Sequence, residues 1–144
     1  MRAGLIAFTS RGMALAERAQ AVLEQAGWQC STRRGGRQGV PLAQWTAQAF
    51  SQCQALVFVG AAGIAVRAVA PHLRHKAQDP AVLCLDENGR FAIPLVSGHI
   101  GGANALALLL GRGLGAVPVI TTATDGRGLF AVDTWAKGQG LAIG

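Results

Sequence analysis

Ala55–Val59 reads Ala-Leu-Val-Phe-Val and is apolar at every position. A strand with one wet face would alternate. An unbroken run of this kind is buried on both faces, which is the habit of strands inside a parallel sheet. Such a strand needs a layer of helix on each side, so the chain is constrained toward a three-layer α/β arrangement. Gly60-Ala61-Ala62-Gly63 then turns the chain. A helix is expected from about Ile64 to His72, with Pro71 near its end, where it can kink or stop the helix.

The flanking sequence repeats the pattern. Gly4–Phe8 is a compact apolar run ending in Thr9-Ser10. Met13–Ala26 follows with Leu15, Ala19, Val22, Leu23 and Ala26 on one helical face, and Gly27 sits where a helix ends. Trp28–Thr32 reads as a short strand, Arg33–Gly39 as a basic glycine-rich loop, and Pro41 as the start of a helix to about Gln52. Ala81–Leu85 and Phe91–Leu95 flank Asp86-Glu87-Asn88-Gly89, and Asn-Gly between apolar runs signals a hairpin. Pro94 puts the second arm near an edge or at a strand's end. Ser97 can cap a helix running to about Arg112, with Ala103, Leu106, Ala107 and Leu110 as its buried face. Val117–Thr121 reads as a last strand, Thr122–Arg127 as a polar turn and Leu129–Lys137 as a closing helix. The expected fold is therefore one α/β domain over residues 1–144, three-layered and Rossmann-like, with a mostly parallel sheet and one inserted β-hairpin.

Composition narrows the partners. Of 144 residues, 51% are hydrophobic and 14% charged, enough apolar material for a core and too little charge for disorder. The formal charge of +6 favours anionic partners. The densest basic cluster is Arg33, Arg34 and Arg37, with no aromatic residue interleaved and no Tyr in the chain. A small polyanionic ligand fits that pattern better than nucleic acid, which is not expected. Cys30, Cys53 and Cys84 are odd in number and widely spaced, so neither a disulfide framework nor a zinc site is expected. His72 and His75 flank Arg74 at a spacing of three, which does not make a metal pair without a third ligand. The apolar run Ala3–Phe8 is too short for a signal peptide, and the uncharged stretch Phe91–Gly111 carries Pro94, Ser97, His99 and Asn104, a poor membrane span. The default expectation is cytoplasmic, with no membrane partner.

Three polar turns follow expected strands and should gather at one edge of the sheet, where ligands bind in such folds. In the first, Gly60 and Gly63 open a helix whose N–H groups favour an anion, and Arg67 could clamp a carboxylate. The plain alternative is a tight turn with a solvated Arg. The second is Ser97-Gly98-His99-Ile100-Gly101-Gly102-Ala103-Asn104. Adjacent glycines at a helix start cost about 1 kcal/mol each against Ala, so something comes close to the backbone there. His99 at a helix N-terminus tends to be neutral and can act as a general base. The alternative has Ser97 as a cap, His99 on the surface and the glycines allowing helix packing. The third is Thr121-Thr122-Ala123-Thr124-Asp125, able to bind polar groups or orient His99, or else an N-cap cluster. Lys76 with Asp79-Pro80 marks a further polar point, or simply a turn.

These segments together resemble the cobalt-precorrin-5A hydrolase (CbiG) family of anaerobic cobalamin biosynthesis. The resemblance is carried by Val57–Pro71, by Lys76 with Asp79-Pro80-Ala81-Val82, by Asp86–Gly89, by Leu95–Asn104 and by Pro118–Asp125, in order, from about Leu56 to Asp133. It implies hydrolysis of the δ-lactone of cobalt-precorrin 5A to cobalt-precorrin 5B with release of acetaldehyde. It also implies that this chain corresponds to the family's N-terminal domain without the C-terminal one. The alternative is a tetrapyrrole-binding module that is inactive without that partner domain.

The implied substrate carries its own cobalt and many carboxylates, so no resident cofactor and no protein metal site are expected. The partners expected are the substrate and a C-terminal domain or subunit, with room for a homodimer. Lactone hydrolysis needs an activated water and donors for the oxyanion. On this reading His99 is the base, oriented by Asp125. The N–H groups of Gly101 and Gly102 are donors, and Arg67 holds a carboxylate arm. Gly60, Gly63, Lys76, Asp79, Ser97, Gly98, Asn104, Thr121 and Thr122 complete the substrate-binding set.

Overall fold

The computed structural model describes residues 1–97 and 102–122. In chain order the elements are β1 (Arg2–Ala7), α1 (Ser10–Gln25), β2 (Gln29–Arg34), α2 (Leu42–Gln52), β3 (Ala55–Val59), α3 (Ala62–Val69), β4 (Ala81–Leu85), β5 (Phe91–Val96), α4 (Ala103–Leu114) and β6 (Val117–Pro118). A short 3-10 turn, Ala70–His72, continues α3. The strands form one sheet in the order β2-β1-β3-β4-β5-β6. β1 pairs in parallel with β2 and β3, and β3 with β4. β4 and β5 form the expected antiparallel hairpin, and β6 lies parallel to β5.

The sheet is covered on both sides, as the apolar run of β3 requires. Leu5, Val57 and Leu83 face a core shared with α1 and α4, through Leu15, Leu23, Leu106 and Leu110. Ile6, Leu56, Phe58 and Val82 face the opposite core, built with Trp45 and Ala49 of α2 and Ala65 and Val69 of α3. Trp45 meets Phe58 edge-on, with centroids 5.6 Å apart and planes at 83°. Each large side chain removed from water, such as Phe58 or Leu83, contributes about 1.5–3 kcal/mol. β2 sits on the outer edge with alternating burial and ends in Arg33 and Arg34, charges that blunt an edge against strand addition.

Pro94 does lie near an edge: β5 is next to the edge strand β6, which pairs only with Phe91 and Ala92. Three sequence expectations change. Arg33 and Arg34 belong to β2 rather than to a basic loop, because their main chain pairs with Ile6 and Ala7. The last strand stops at Pro118, although the Val119 N–H still donates to the Ala92 carbonyl at 2.9 Å. Ser97 does not cap α4. That position is taken by Gly102, which sits in the left-handed region at φ 86°, where a side chain would be strained. The expected polar turn beyond Thr122 and the closing helix at Leu129–Lys137 lie outside the described residues.

Candidate functional site

The direction of β5 decides which turns can meet. β1, β3 and β4 run one way, and their carboxyl ends align through the pairs Ala7↔Val59 and Val59↔Leu85. β5 runs the other way, so Val96 sits opposite Val82 at the start of β4. β6 follows β5. The sheet therefore has two carboxyl edges at opposite ends, and the expectation that all three polar turns share one edge is not met.

The first edge carries Gly60 and Gly63. The Gly60 N–H donates to the Leu85 carbonyl at 2.8 Å, and the Cys84 thiol donates to the Gly60 carbonyl at 3.1 Å. α3 begins here after Ala61 with no side-chain cap, and Gly63 faces open space. Beside it, Thr9 caps α1. Its hydroxyl oxygen accepts from the Gly12 N–H at 2.9 Å and its O–H donates to the Glu87 carboxylate at 2.8 Å. Arg11 donates to the Asn88 side-chain oxygen at 3.0 Å. The hairpin turn between β4 and β5 is fixed by Asp86, whose carboxylate accepts from the Arg90 and Phe91 N–H groups. The pairing of Thr9 with Glu87 went unnoticed in the sequence. The only local sign was a Thr in front of a helical run.

The second edge gathers Asp79, Ser97, Gly102, Asn104, Thr121 and Thr122. Ser97 is nearly buried, at 9% exposure, and its φ of 61° is left-handed. Its hydroxyl donates to the Asp79 main-chain carbonyl at 3.3 Å, and its own carbonyl accepts from the Ala103 N–H at 3.0 Å. Ser97 is thus tied both to the turn before β4 and to the start of α4. Asn104 is 4% exposed, and its side-chain N–H donates to the Thr122 hydroxyl at 3.2 Å. The Asn104 amide oxygen, also buried, has no hydrogen-bond partner among the described residues. The Asp79 carboxylate receives the Arg74 N–H at 3.0 and 3.2 Å.

Next to Asp79 a cavity of about 330 Å³ opens between α2 and the Ala70–His72 turn, lined in part by Phe50, His72, Arg74 and Pro80. The His72 ring lies 5.5 Å from that of Phe50. Arg67 is exposed in the last turn of α3, and Lys76 is exposed in the turn before Asp79. His99, Gly98 and Gly101 in the loop, and Asp125 beyond β6, lie outside the described residues.

Burial, with Asp86 nearby, pushes the Cys84 thiol up to about 11, and burial with Glu24 nearby does the same for Cys30. Burial also raises Cys53. Among the described residues no group of three or more His, Cys, Asp or Glu side chains is placed to hold a metal ion. No described helix is long and apolar enough to cross a membrane.

Two features define the class: a three-layer α/β domain in which one strand–helix–strand unit is reversed against the rest of the sheet, and a glycine-capped polar helix entrance at the carboxyl end of that unit. The chain belongs to the cobalamin synthesis G N-terminal family, whose model matches residues 44–125. It is 46% identical over 138 residues to a Salmonella typhimurium protein named cobalt-precorrin-5A hydrolase, covering 92% of this chain and 38% of that protein. A Priestia megaterium protein of the same name is 42% identical over 88 residues, 61% of this chain and 24% of its own length. Among solved structures, a cobalamin biosynthesis protein G homologue from Sulfolobus solfataricus matches with a TM-score of 0.69 and 27% identity, over 87% of this chain and 38% of that one. The chain thus spans well under half the length of the relatives it matches.

Proposed function

We propose that this chain supplies the N-terminal portion of a cobalt-precorrin-5A hydrolase in cobalamin biosynthesis. In the proposed reaction, water opens the δ-lactone of cobalt-precorrin 5A, giving cobalt-precorrin 5B with release of acetaldehyde. The observation that carries this reading is the 46% identity to the Salmonella protein, running through nearly the whole of this chain. The second edge supports it chemically. It brings small-residue backbone, hydroxyls and a buried amide to the entrance of α4, a setting that suits a polar, anionic ligand.

In this reading His99 takes the proton of the attacking water and Asp125 orients it. The Gly101 and Gly102 N–H groups receive the developing oxyanion, and Arg67 and Lys76 attract carboxylate arms. Cobalt enters as part of the substrate, and the protein is proposed to work in the cytoplasm without a resident cofactor.

One observation favours a second reading. The chain covers only 38% of the Salmonella relative, and on that reading it is a tetrapyrrole-binding module that depends on the remainder for chemistry. Incubating the purified chain with cobalt-precorrin 5A, alone and joined to the remaining sequence of a relative, separates the two. Acetaldehyde from the chain alone supports the hydrolase, and corrinoid binding without acetaldehyde supports the module. Neither binding nor acetaldehyde in either form overturns both. A His99→Ala variant of the active form is expected to lose at least about 100-fold in kcat, and an unchanged rate removes His99 as the base.

A further inference from the structure

The proposed chemistry consumes a water, and the described residues show one position suited to hold it. Asn104 is the second residue of α4 and is 4% exposed. Its amide N–H donates to Thr122, which fixes the orientation of the side chain, while its amide oxygen is buried with no partner among the described residues. A buried acceptor left unmade is costly, and folded proteins rarely keep one without a use. Side chains in a helix lean toward its N-terminus, which places this oxygen toward the first turn of α4. There the Ala103 N–H is taken by the Ser97 carbonyl, and the Leu106 N–H is the first to bond within the helix. The N–H groups of Asn104 and Ala105 have no acceptor among the described residues, as expected for a first helical turn.

The group that completes this corner must donate to an amide oxygen and accept from a helix N–H group. A carboxylate arm cannot donate. A water molecule can do both and keeps one lone pair free. We propose that the Asn104 amide oxygen and the first turn of α4 hold the water that attacks the lactone. This rests on the hydrolase reading above. Asn104 cannot take a proton at neutral pH, so it fixes one O–H of the water and aims its lone pair. The positive end of α4 favours the hydroxide character that grows as the water attacks. The water's oxygen forms the new bond to the lactone carbonyl carbon, and its other proton leaves to the general base. As the tetrahedral centre collapses, the ring C–O bond breaks to give a carboxylic acid and an alkoxide. The alkoxide becomes the C=O of acetaldehyde as its C–C bond to the macrocycle breaks, and the macrocycle carbon keeps that electron pair and takes the proton from the general base. Asn104 is then a catalytic residue and Thr122 a positioning residue.

The test uses Asn104→Leu, Asn104→Asp and Thr122→Val in the full chain, in whichever form releases acetaldehyde. Asn104→Leu keeps the volume and removes the unmade acceptor, so its Tm is expected to hold or rise while kcat falls by about 100-fold and KM stays within about threefold. Asn104→Asp keeps an oxygen in place. It is expected to retain activity within about tenfold near neutral pH and to show a second acidic limb beyond the one that protonation of the His99 base gives the wild type. Thr122→Val is expected to lose about tenfold in kcat through loss of amide orientation. An Asn104→Leu variant with an undiminished kcat, or an Asn104→Asp variant as inactive as Asn104→Leu at every pH, overturns the proposal. Failure of the hydrolase reading is seen separately, as no acetaldehyde from the wild type. In that case a high-resolution crystal structure of the wild type decides. An ordered water bonded to the Asn104 oxygen at the start of α4 supports the seat, and that oxygen bonded to protein instead overturns it.

Discussion

The Ser97 hydroxyl donates to the Asp79 main-chain carbonyl at 3.3 Å, tying the end of β5 to the turn in front of β4. Ser97 is also the one non-glycine residue with positive φ among those described. The hydrogen bond and the strain act in opposite directions. Ser97→Ala keeps the strain and loses the bond, with an expected cost of about 1 kcal/mol. Ser97→Gly loses the bond and relieves about 1 kcal/mol of left-handed strain, so it should match the wild type. Urea unfolding of the three proteins checks this, and an Ala variant more stable than the Gly variant would contradict it.

Gly111 illustrates a glycine kept for space. A Cβ there would lie 2.7 Å from the Ala116 carbonyl oxygen and 3.2 Å from the Pro118 ring. Ala is preferred to Gly inside a helix by about 1 kcal/mol, yet Gly111→Ala is expected to destabilise by about 1–3 kcal/mol through overpacking. The displaced element is the start of β6, which leads to Thr122. A lowered Tm is expected, and a raised one would show that β6 yields without cost.

Alkaline pH should weaken the fold. The Cys84 and Cys30 thiols are raised from 9.0 to about 11, so between those values the folded chain holds protons that the unfolded chain releases. Their contribution is fully present below pH 9.0 and is lost as pH rises toward about 11. The denaturation midpoint should fall across that window. Cys84→Ala should flatten the decline, and an equally steep decline in that variant would assign the effect to other groups.

Arg67 is an exposed cation in the last turn of α3, with no ion pair among the described residues. On the proposed function, Arg67→Ala should raise the KM for the polycarboxylate substrate by about tenfold. Its kcat should change by no more than about twofold. The difference between wild type and variant should shrink as salt is added. Steady-state acetaldehyde release at low and high ionic strength measures this. A KM unmoved by the substitution would place the substrate away from α3.

Much of the layered fold was legible locally. The β3 run, the Asn-Gly hairpin and the stop of α1 at Gly27 are signals carried within a few residues, and the structure keeps them. The helix entrance at α4 was misread for an equally local reason. Ser97 has the chemistry of a cap, but the N-cap of α4 is Gly102 and the helix begins at Ala103. The second strand was cut short because Arg33 and Arg34 look like loop residues. At a sheet edge, with alternate side chains in water, they are compatible with a strand.

By itself the sequence determined the alternation of strand and helix, the family resemblance and the polar turns worth attention. Those properties follow from local propensity and from the periodicity of apolar residues. The tertiary structure decided which turns are neighbours. The hairpin reverses β5, and β6 follows it, so Ser97 and Thr122 end up at one edge while Gly60 and Gly63 end up at the other. It also decided that Asn104 is buried with half of its amide bonded to Thr122 and half unbonded. Pairing direction and burial depend on residues far apart in the chain, and they are settled only when the sheet closes around its two cores.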